Sequence, residues 1–423
     1  MLRNIKINSR HYFFYPLVFL ILLILISVVS IRLVLLNINN YKDEIESIIS
    51  EHTGYSIDIH KIEAKWKGWM PNLYLEDIKF LNQNINTEII KFHSATIGIN
   101  ILQSISQKRV TPSYILISGL NLEIHRNKKG EISIKNNNLA NTSKNNREKL
   151  TKWFFSQKYL ILENLNLIFY DEKITAEKKE FNNVNLELRT KDKETEIDIY
   201  VTLSQDKKQL SRIKANITGD ILTSSWNGNI DIEMINMDPM KYLDDLGLFS
   251  RNGTANGKIS TYWQNAKLMK ISCDIDYSDF SLIANNSNVA IKNINADFNA
   301  VRKMDKNWSF VTNINNLQTV NGKWPEKIKY QFELIENVNN KYRYKGYVPF
   351  LKLEDILPVL IAANILPNNL LQKIDLNSIS AEIGDMTIEL ESSEENPIQL
   401  RKIDADFSKL NFVSNDKSSA ING

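Results

Sequence analysis

From Ser56 to the end of the chain, apolar residues fall at alternate positions in short runs: "YSIDIH", "LYLEDIKFL", "ATIGINIL", "EIDIYVTLS" and "NGNIDIEMI" among them. A period of two puts every second side chain on one face of an extended strand, so the pattern predicts a mostly β chain with one apolar and one polar face. Helical interruptions are few. "REKLTKWFFSQ" (Arg147–Gln157), "DPMKYLDDLGLF" (Asp238–Phe249) and "LEDILPVLIAANILPNNLLQKI" (Leu353–Ile374) are the candidates, the last expected to break at Pro358 and Pro367. "HRNKKGEISI" reads as a hairpin with Gly130 at its turn.

The alternation skips at recurring places. In "LILENLNLIFYD" (Leu160–Asp171) the apolar residues Leu160, Leu162, Leu165, Leu167 and Phe169 carry one extra residue after Leu162. The same skip occurs in "LEDIKF" from Leu75, "ISGLNLEI" from Ile117, "FNNVNLEL" from Phe181, "IKNINADF" from Ile291 and "LRKIDADF" from Leu400. One extra residue bends a strand and returns the apolar set to the same face, so the skips predict repeated bulges or corners in a sheet that bends. In the first example Glu163 and Asn164 mark the corner, with Leu165, Leu167 and Phe169 facing inward and Asn166 and Ile168 outward.

Ahead of the strands, Tyr12–Ile31 ("YFFYPLVFLILLILISVVSI") contains no charged residue. It matches the roughly 20 apolar residues that cross a bilayer and exceeds the apolar core of a cleaved signal peptide. Arg3, Lys6 and Arg10 precede it without an acidic residue, and the first carboxylates, Asp43 and Glu44, follow it. The positive-inside rule then leaves the N-terminus in the cytoplasm and about 390 residues outside, so the expected localisation is a single-pass inner membrane protein with its bulk in the periplasm. After this segment Tyr41, Ile45, Ile48, Ile49 and His52 stand at helical spacing and Gly54 supplies a stop. This short amphipathic helix is read as packing on the start of the sheet, with a membrane-surface position as the alternative. Trp66 and Trp69 have the same two readings, headgroup level or core.

A net charge of +3, from 52 basic and 49 acidic residues scattered along the chain, carries no nucleic-acid signature. Cys273 is the single cysteine, so no disulfide closes within the chain. His11, His52, His60, His93 and His125 are dispersed, and the chain has no H-E-x-x-H, G-x-S-x-G or P-loop motif. The pairs Glu76–Asp77 and Asp244–Asp245 read as solvent-facing. The expectation is a protein without catalytic residues, cofactor or metal.

"TGYSIDIHKIEAKWKGWMPNLYLEDIKFL", "ILISGLNLEIHRNKKGEISI", "WFFSQKYLILENLNLIFYD", "KWPEKIKYQFEL" and "VPFLKLEDILPVLIAANILP", in this order after an apolar helix, resemble the AsmA-like envelope proteins, most closely their YhdP-type branch. The likeness is strongest over residues 12–175. It implies a membrane-anchored, long, twisted, groove-forming sheet that moves phospholipid between inner and outer membrane. It also implies a longer protein, because the chain stops where "LRKIDADFSKL" opens another strand unit. The organisation expected is a tail and membrane helix at 1–36, an amphipathic helix at 37–54, a first β-groove unit at 55–140 and further units at 147–423, with an Asn/Lys-rich loop at Asn136–Lys149 between them.

On that reading phospholipid acyl chains are the partners and lie on the apolar strand face. The residues expected to line it are Leu73, Leu75, Ile97, Ile99, Ile115, Ile117, Leu122, Leu165, Leu167, Val184, Leu186, Ile230 and Ile232. The alternative is a non-enzymatic envelope scaffold or membrane-assembly factor, in which the three helical segments cover the same face and the partners are envelope proteins. Helices about 10 Å wide cover only about two strands each, which favours an open face.

Overall fold

A computed structural model describes residues 10–67, 70–81, 88–126, 132–134, 152–172, 178–191, 194–202, 210–220, 225–237, 249–251, 253–284, 287–303, 307–336, 342–362, 379–392, 399–413 and 420–422. It divides into two compact units, residues 1–124 with 133–168, and residues 125–132 with 169–423. Gly130, the turn of the expected hairpin, Trp69, the expected Asn/Lys-rich loop at 136–149 and all of the expected helix at 238–249 except Phe249, which stands in a strand, lie outside the described residues.

The first unit begins with helix α1 (Arg10–Leu36), a short 3-10 turn (Ile38–Tyr41) and helix α2 (Lys42–Thr53). Strands β1 (Ser56–Lys67), β2 (Met70–Leu81), β3 (Glu88–Ile99) and β4 (Pro112–Ser118) follow as an antiparallel meander, with helix α3 (Ile101–Gln107) between β3 and β4. After β5 (Asn121–Arg126) and β6 (Ile132–Ile134), β7 (Tyr159–Asp171) runs parallel to β4, Ile115 opposite Leu160. Gly54 adopts the left-handed conformation that ends α2, its N–H bonded to the Ser50 carbonyl.

Why α2 lies on the sheet follows from its two polar anchors and its apolar stripe. Glu46 accepts a hydrogen bond from the Ile59 N–H at 2.8 Å, occupying a donor on β1. Ile45 and Ile49 pack on a cluster of Tyr55, Ile57, Ile59, Ile62, Leu75, Ile78, Phe80, Phe92 and Ala95. Each such side chain contributes about 1.5–3 kcal/mol when fully buried. The sheet-packing reading of α2 is therefore the observed one.

In the second unit β8 (Lys178–Lys191), β9 (Glu194–Thr202), β10 (Leu210–Thr218), β11 (Asn227–Met237), β12 (Phe249–Arg251), β13 (Thr254–Gln264), β14 (Lys267–Ala284), β15 (Ser287–Arg302) and β16 (Trp308–Thr319) continue the antiparallel order. The short β12 borders β14, and β17 (Gly322–Lys323) folds back on β16. Then come β18 (Ile328–Glu336), β19 (Tyr342–Lys352), β20 (Ser380–Ser392), β21 (Gln399–Val413) and β22 (Ala420–Asn422). Helix α4 (Leu353–Ala362) packs on β14, β15, β19 and β20. It runs through Pro358, correcting the expected break. A proline removes one intrahelical bond and crowds the carbonyl four residues back, but Leu353 and Ile356 hold the turn before it against the cluster of Leu317, Trp324, Ile328, Tyr330, Val348, Ile383 and Met386. Pro367 lies outside the described residues.

Four of the six skipped positions are left-handed corners, and the ladders that join β2 to β1 and β3 keep their register through Asp77, so these strands skip together. Asp77, Gly119, Asn164 and Asn183, the second residue of each skipped pair, all have positive φ, between 46° and 72°. Asn and Asp tolerate this region because their short polar side chains bond locally, and glycine has no Cβ to clash. In the other two cases the ladders shift register, between Ile291 and Asn293 in β15 and opposite Glu389–Leu390 in β21. Asn236, Asp279, Asp385 and Lys409 repeat the left-handed device where the sequence had not marked it. In the first unit these corners share one level: Asp77 sits across from His93, Gly119 lies against His93, and Gly119 N–H bonds the Glu163 carbonyl beside Asn164. Leu162 and Leu165, on either side of a corner, are both buried, as are Leu75 and Ile78.

Candidate functional site

Cross-strand register converts the alternation into rows. In the second unit Leu186, Ile199, Ile213, Ile232, Ile259, Cys273 and Phe298 stand opposite one another in turn from β8 to β15. The neighbouring row runs Leu188, Ile197, Ala215, Ile230, Thr261, Ile271, Ala300, Phe310 and Phe332. Directly opposed residues point to the same side, so one face carries a band of isoleucine and phenylalanine across these strands.

The other face is ionic. Asp198 accepts both guanidinium nitrogens of Arg212, and Asp231 accepts from Ser260 with Lys258 nearby at 3.9 Å. Lys303 pairs with Glu333 at 2.7 Å and Lys345 with Glu389 at 3.1 Å. Partly exposed pairs of this kind add little stability, but they mark the face that meets water.

Cover separates the two ends of the apolar band. At β16, β18, β19 and β20 a buried cluster with Trp324 and Met386 lies beneath α4 on this face, while Phe310 and Phe332 in the band itself stay half-buried. From β9 to β13 the band is half-buried, Ile199, Ile213, Ile230, Ile232 and Ile259 each retaining exposed surface, and no described helix packs on these strands. Gly346 leaves room within the band: a Cβ there would come within 2.5 Å of the Phe332 ring. Cys273, midway along it, has its thiol pKa raised by burial, which keeps the group neutral.

The thirteen residues expected to line the face divide. Leu186, Ile230 and Ile232 lie in the half-covered band of the second unit, whereas Val184, in the middle of β8, is buried. In the first unit Leu73, Ile97 and Ile115 form one row, and Leu75 and Ile117 the next through Ala95. Leu73, Ile115 and Leu165 are buried, and Leu75 packs in the cluster beneath α2, so protein covers it. Ile97, Ile99, Ile117, Leu122 and Leu167 are half-buried. Asn166 is exposed and donates to Asn121 at 2.9 Å, while Ile168 is half-buried rather than open to solvent. Ile197, Ile199, Ile213, Ile259, Ile271 and Phe298 belong to the band and were not singled out from the sequence. Their strands were legible, but the register that joins them is a long-range property.

Among the described residues no group of three His, Cys, Asp or Glu could hold a metal ion. Trp66 is half-buried, its indole nitrogen enclosed. In α1 the longest unbroken stretch of described side chains is Tyr15–Leu23, all exposed. Counting only described residues, no helix is long and apolar enough to cross a membrane. A family model described as YhdP protein matches residues 4–423 of the chain. No curated protein and no solved structure matches it.

Proposed function

Because the chain belongs to the YhdP family, we propose that it is a membrane-anchored envelope protein whose apolar sheet face holds phospholipid acyl chains and conducts them between inner and outer membrane. The observation that carries this reading is the band from Ile199 to Ile259: one-sided, continuous over successive strands, and without a described covering helix. The apolar surface that such a half-buried band leaves exposed is costly in water, and acyl chains lying along it remove that cost. The role is one of binding and passage, with no chemical step.

α1 supports the anchoring part. Its side chains Tyr15, Leu17, Phe19, Leu22 and Leu25 are exposed around the helix, and the charge-free run Tyr12–Ile31 falls within it. A helix apolar on every side requires lipid or other protein around it. With the N-terminal cations in the cytoplasm, the sheet units lie in the periplasm.

Reconstituted full-length protein tests the reading by equilibrium binding of a fluorescent phospholipid. Ile232→Glu with Ile259→Glu places two carboxylates in the band and abolishes binding on this account, whereas Asp231→Ala on the opposite face leaves it intact. Unchanged binding in the double variant overturns the reading.

A further inference from the structure

Away from the band, the first unit has a second concentration of exposed apolar surface. Leu102 and Ile105, three residues apart and therefore on one side of α3, are 81% and 68% exposed, and Val110 beyond the helix is 64% exposed. Nothing about the local fold forces them outward loosely. Asn100 caps the helix through its side chain to the Gln103 N–H at 3.0 Å, Ser104 accepts from the Thr111 N–H at 3.0 Å, and Lys108 closes the helix in the left-handed conformation. The segment is thus held with two large aliphatic side chains facing out.

Its charge is one-sided. Lys108 and Arg109 follow the helix, and no acidic residue occurs from Asn100 to Ser118. Lys158, just after the helical turn at 152–156, reaches Gln103 at 3.5 Å and brings another cation to the same place.

Its position in the unit matches that of α1. Asn72 opposes Gly98 and Ile99 opposes Pro112, so α3 and the paired residues Lys67 and Met70 lie at one end of the sheet, away from Ser56, Leu81 and Glu88. α2 joins β1 at Ser56 yet reaches Ile59 with Glu46, so it runs back along β1. The α1–α2 junction is therefore directed toward the Lys67 end, and α1 itself touches β1.

We infer that α3 and the following Lys108–Val110 segment form a membrane-surface contact, in which Leu102, Ile105 and Val110 enter the headgroup region of the bilayer that holds α1 while Lys108 and Arg109 bind anionic lipid. A rigid pair of aliphatic side chains flanked by cations is the composition that partitions into an anionic interface. The inference rests on the anchoring part of the proposed function, since α1 fixes which surface is within reach.

The test uses the full chain with Cys273→Ser, reconstituted into protein-free bilayers containing anionic phospholipid. Spin labels are placed at Leu102→Cys and Ile105→Cys, at Lys91→Cys near the opposite end of β3, and at Leu22→Cys within α1. The inference predicts several-fold lower accessibility to an aqueous relaxation agent at the α3 labels than at the Lys91 label. The combined Lys108→Glu and Arg109→Glu substitutions should remove that protection, each cation being worth about fivefold in partitioning. If the Leu22 label reads bilayer depth while the α3 labels remain as aqueous as Lys91, the surface contact is wrong and the anchor stands. That same result follows if the true occupant of the patch is another protein, which these bilayers lack. If the Leu22 label is itself aqueous, the anchor reading fails and the contact with it.

Discussion

The indole N–H of Trp324 donates to the carboxylate of Asp355 at 2.6 Å, in a site where both side chains are buried. Thr319 donates to the same carboxylate at 3.0 Å and the Asn321 amide at 2.8 Å. Asp355 stands in the first turn of α4, so this one group ties the helix to the β16–β17 turn. A buried carboxylate needs such a set of donors, and each donor in turn depends on it.

Asp355→Ala should therefore release α4. Leaving buried donors without an acceptor costs about 3 kcal/mol, and hydrogen exchange of the α4 amides should rise accordingly while that of β1 and β2 stays unchanged. Asp355→Asn, which keeps one acceptor oxygen, should show a smaller increase.

Glu63 lies between Lys61 at 2.6 Å and Lys65 at 2.7 Å, and their hydrogen bonds and charges hold its pKa at about 2. The folded value is depressed, so the favourable interaction is complete above the ordinary carboxylate range and is lost as pH falls through about 2. The three side chains are partly exposed to solvent, so salt should screen the effect. Carboxyl NMR titration of the Lys61→Gln, Lys65→Gln protein should return Glu63 to about 4.3, the ordinary value, as should high ionic strength in part.

At the skipped position in β8, Asn183 has φ of 56° and an exposed side chain. Asn183→Val forces a β-branched residue into the left-handed region and should cost about 1–2 kcal/mol. Asn183→Gly should be close to neutral. Denaturant midpoints of the two variants separate backbone strain from lost contacts, since neither removes a packed group.

Ile62 and Ile259 are the same residue type, one buried in the cluster beneath α2 and the other half-buried on a face where no described helix packs. Ile62→Ala empties a site in the cluster near α2 and should cost about 2–5 kcal/mol, whereas Ile259→Ala, from a half-exposed position, should cost about 1 kcal/mol. Comparable costs would mean that the band at β13 is as closely packed as the first unit's cluster.

Much of this architecture was legible in the residues. Alternation located the strands, Gly54 ended α2, and the skip at Glu163–Asn164 announced a corner that the left-handed Asn164 makes. At Met234–Met237 the skip was hidden because Ile235, between the two methionines, blurs the polar pair. Pro358 misled because a local rule about helix breaking was set against packing from β14, β15, β19 and β20, which no local pattern displays. The candidate face divided for a similar reason. Leu75 and Ile232 look alike in a strand, and only the docking of α2 through Ile45 and Ile49 places one under protein cover.

The most direct measurement of the central claim is site-specific photocrosslinking along β10, β11 and β13 in protein extracted with its native lipid. Crosslinkers at Ile213, Ile232 and Ile259, one row of the apolar face, should capture phospholipid, and crosslinkers at Lys214, Asp231 and Lys258 on the ionic face should not. Equal capture on both faces, or none at the isoleucine positions, would contradict the account.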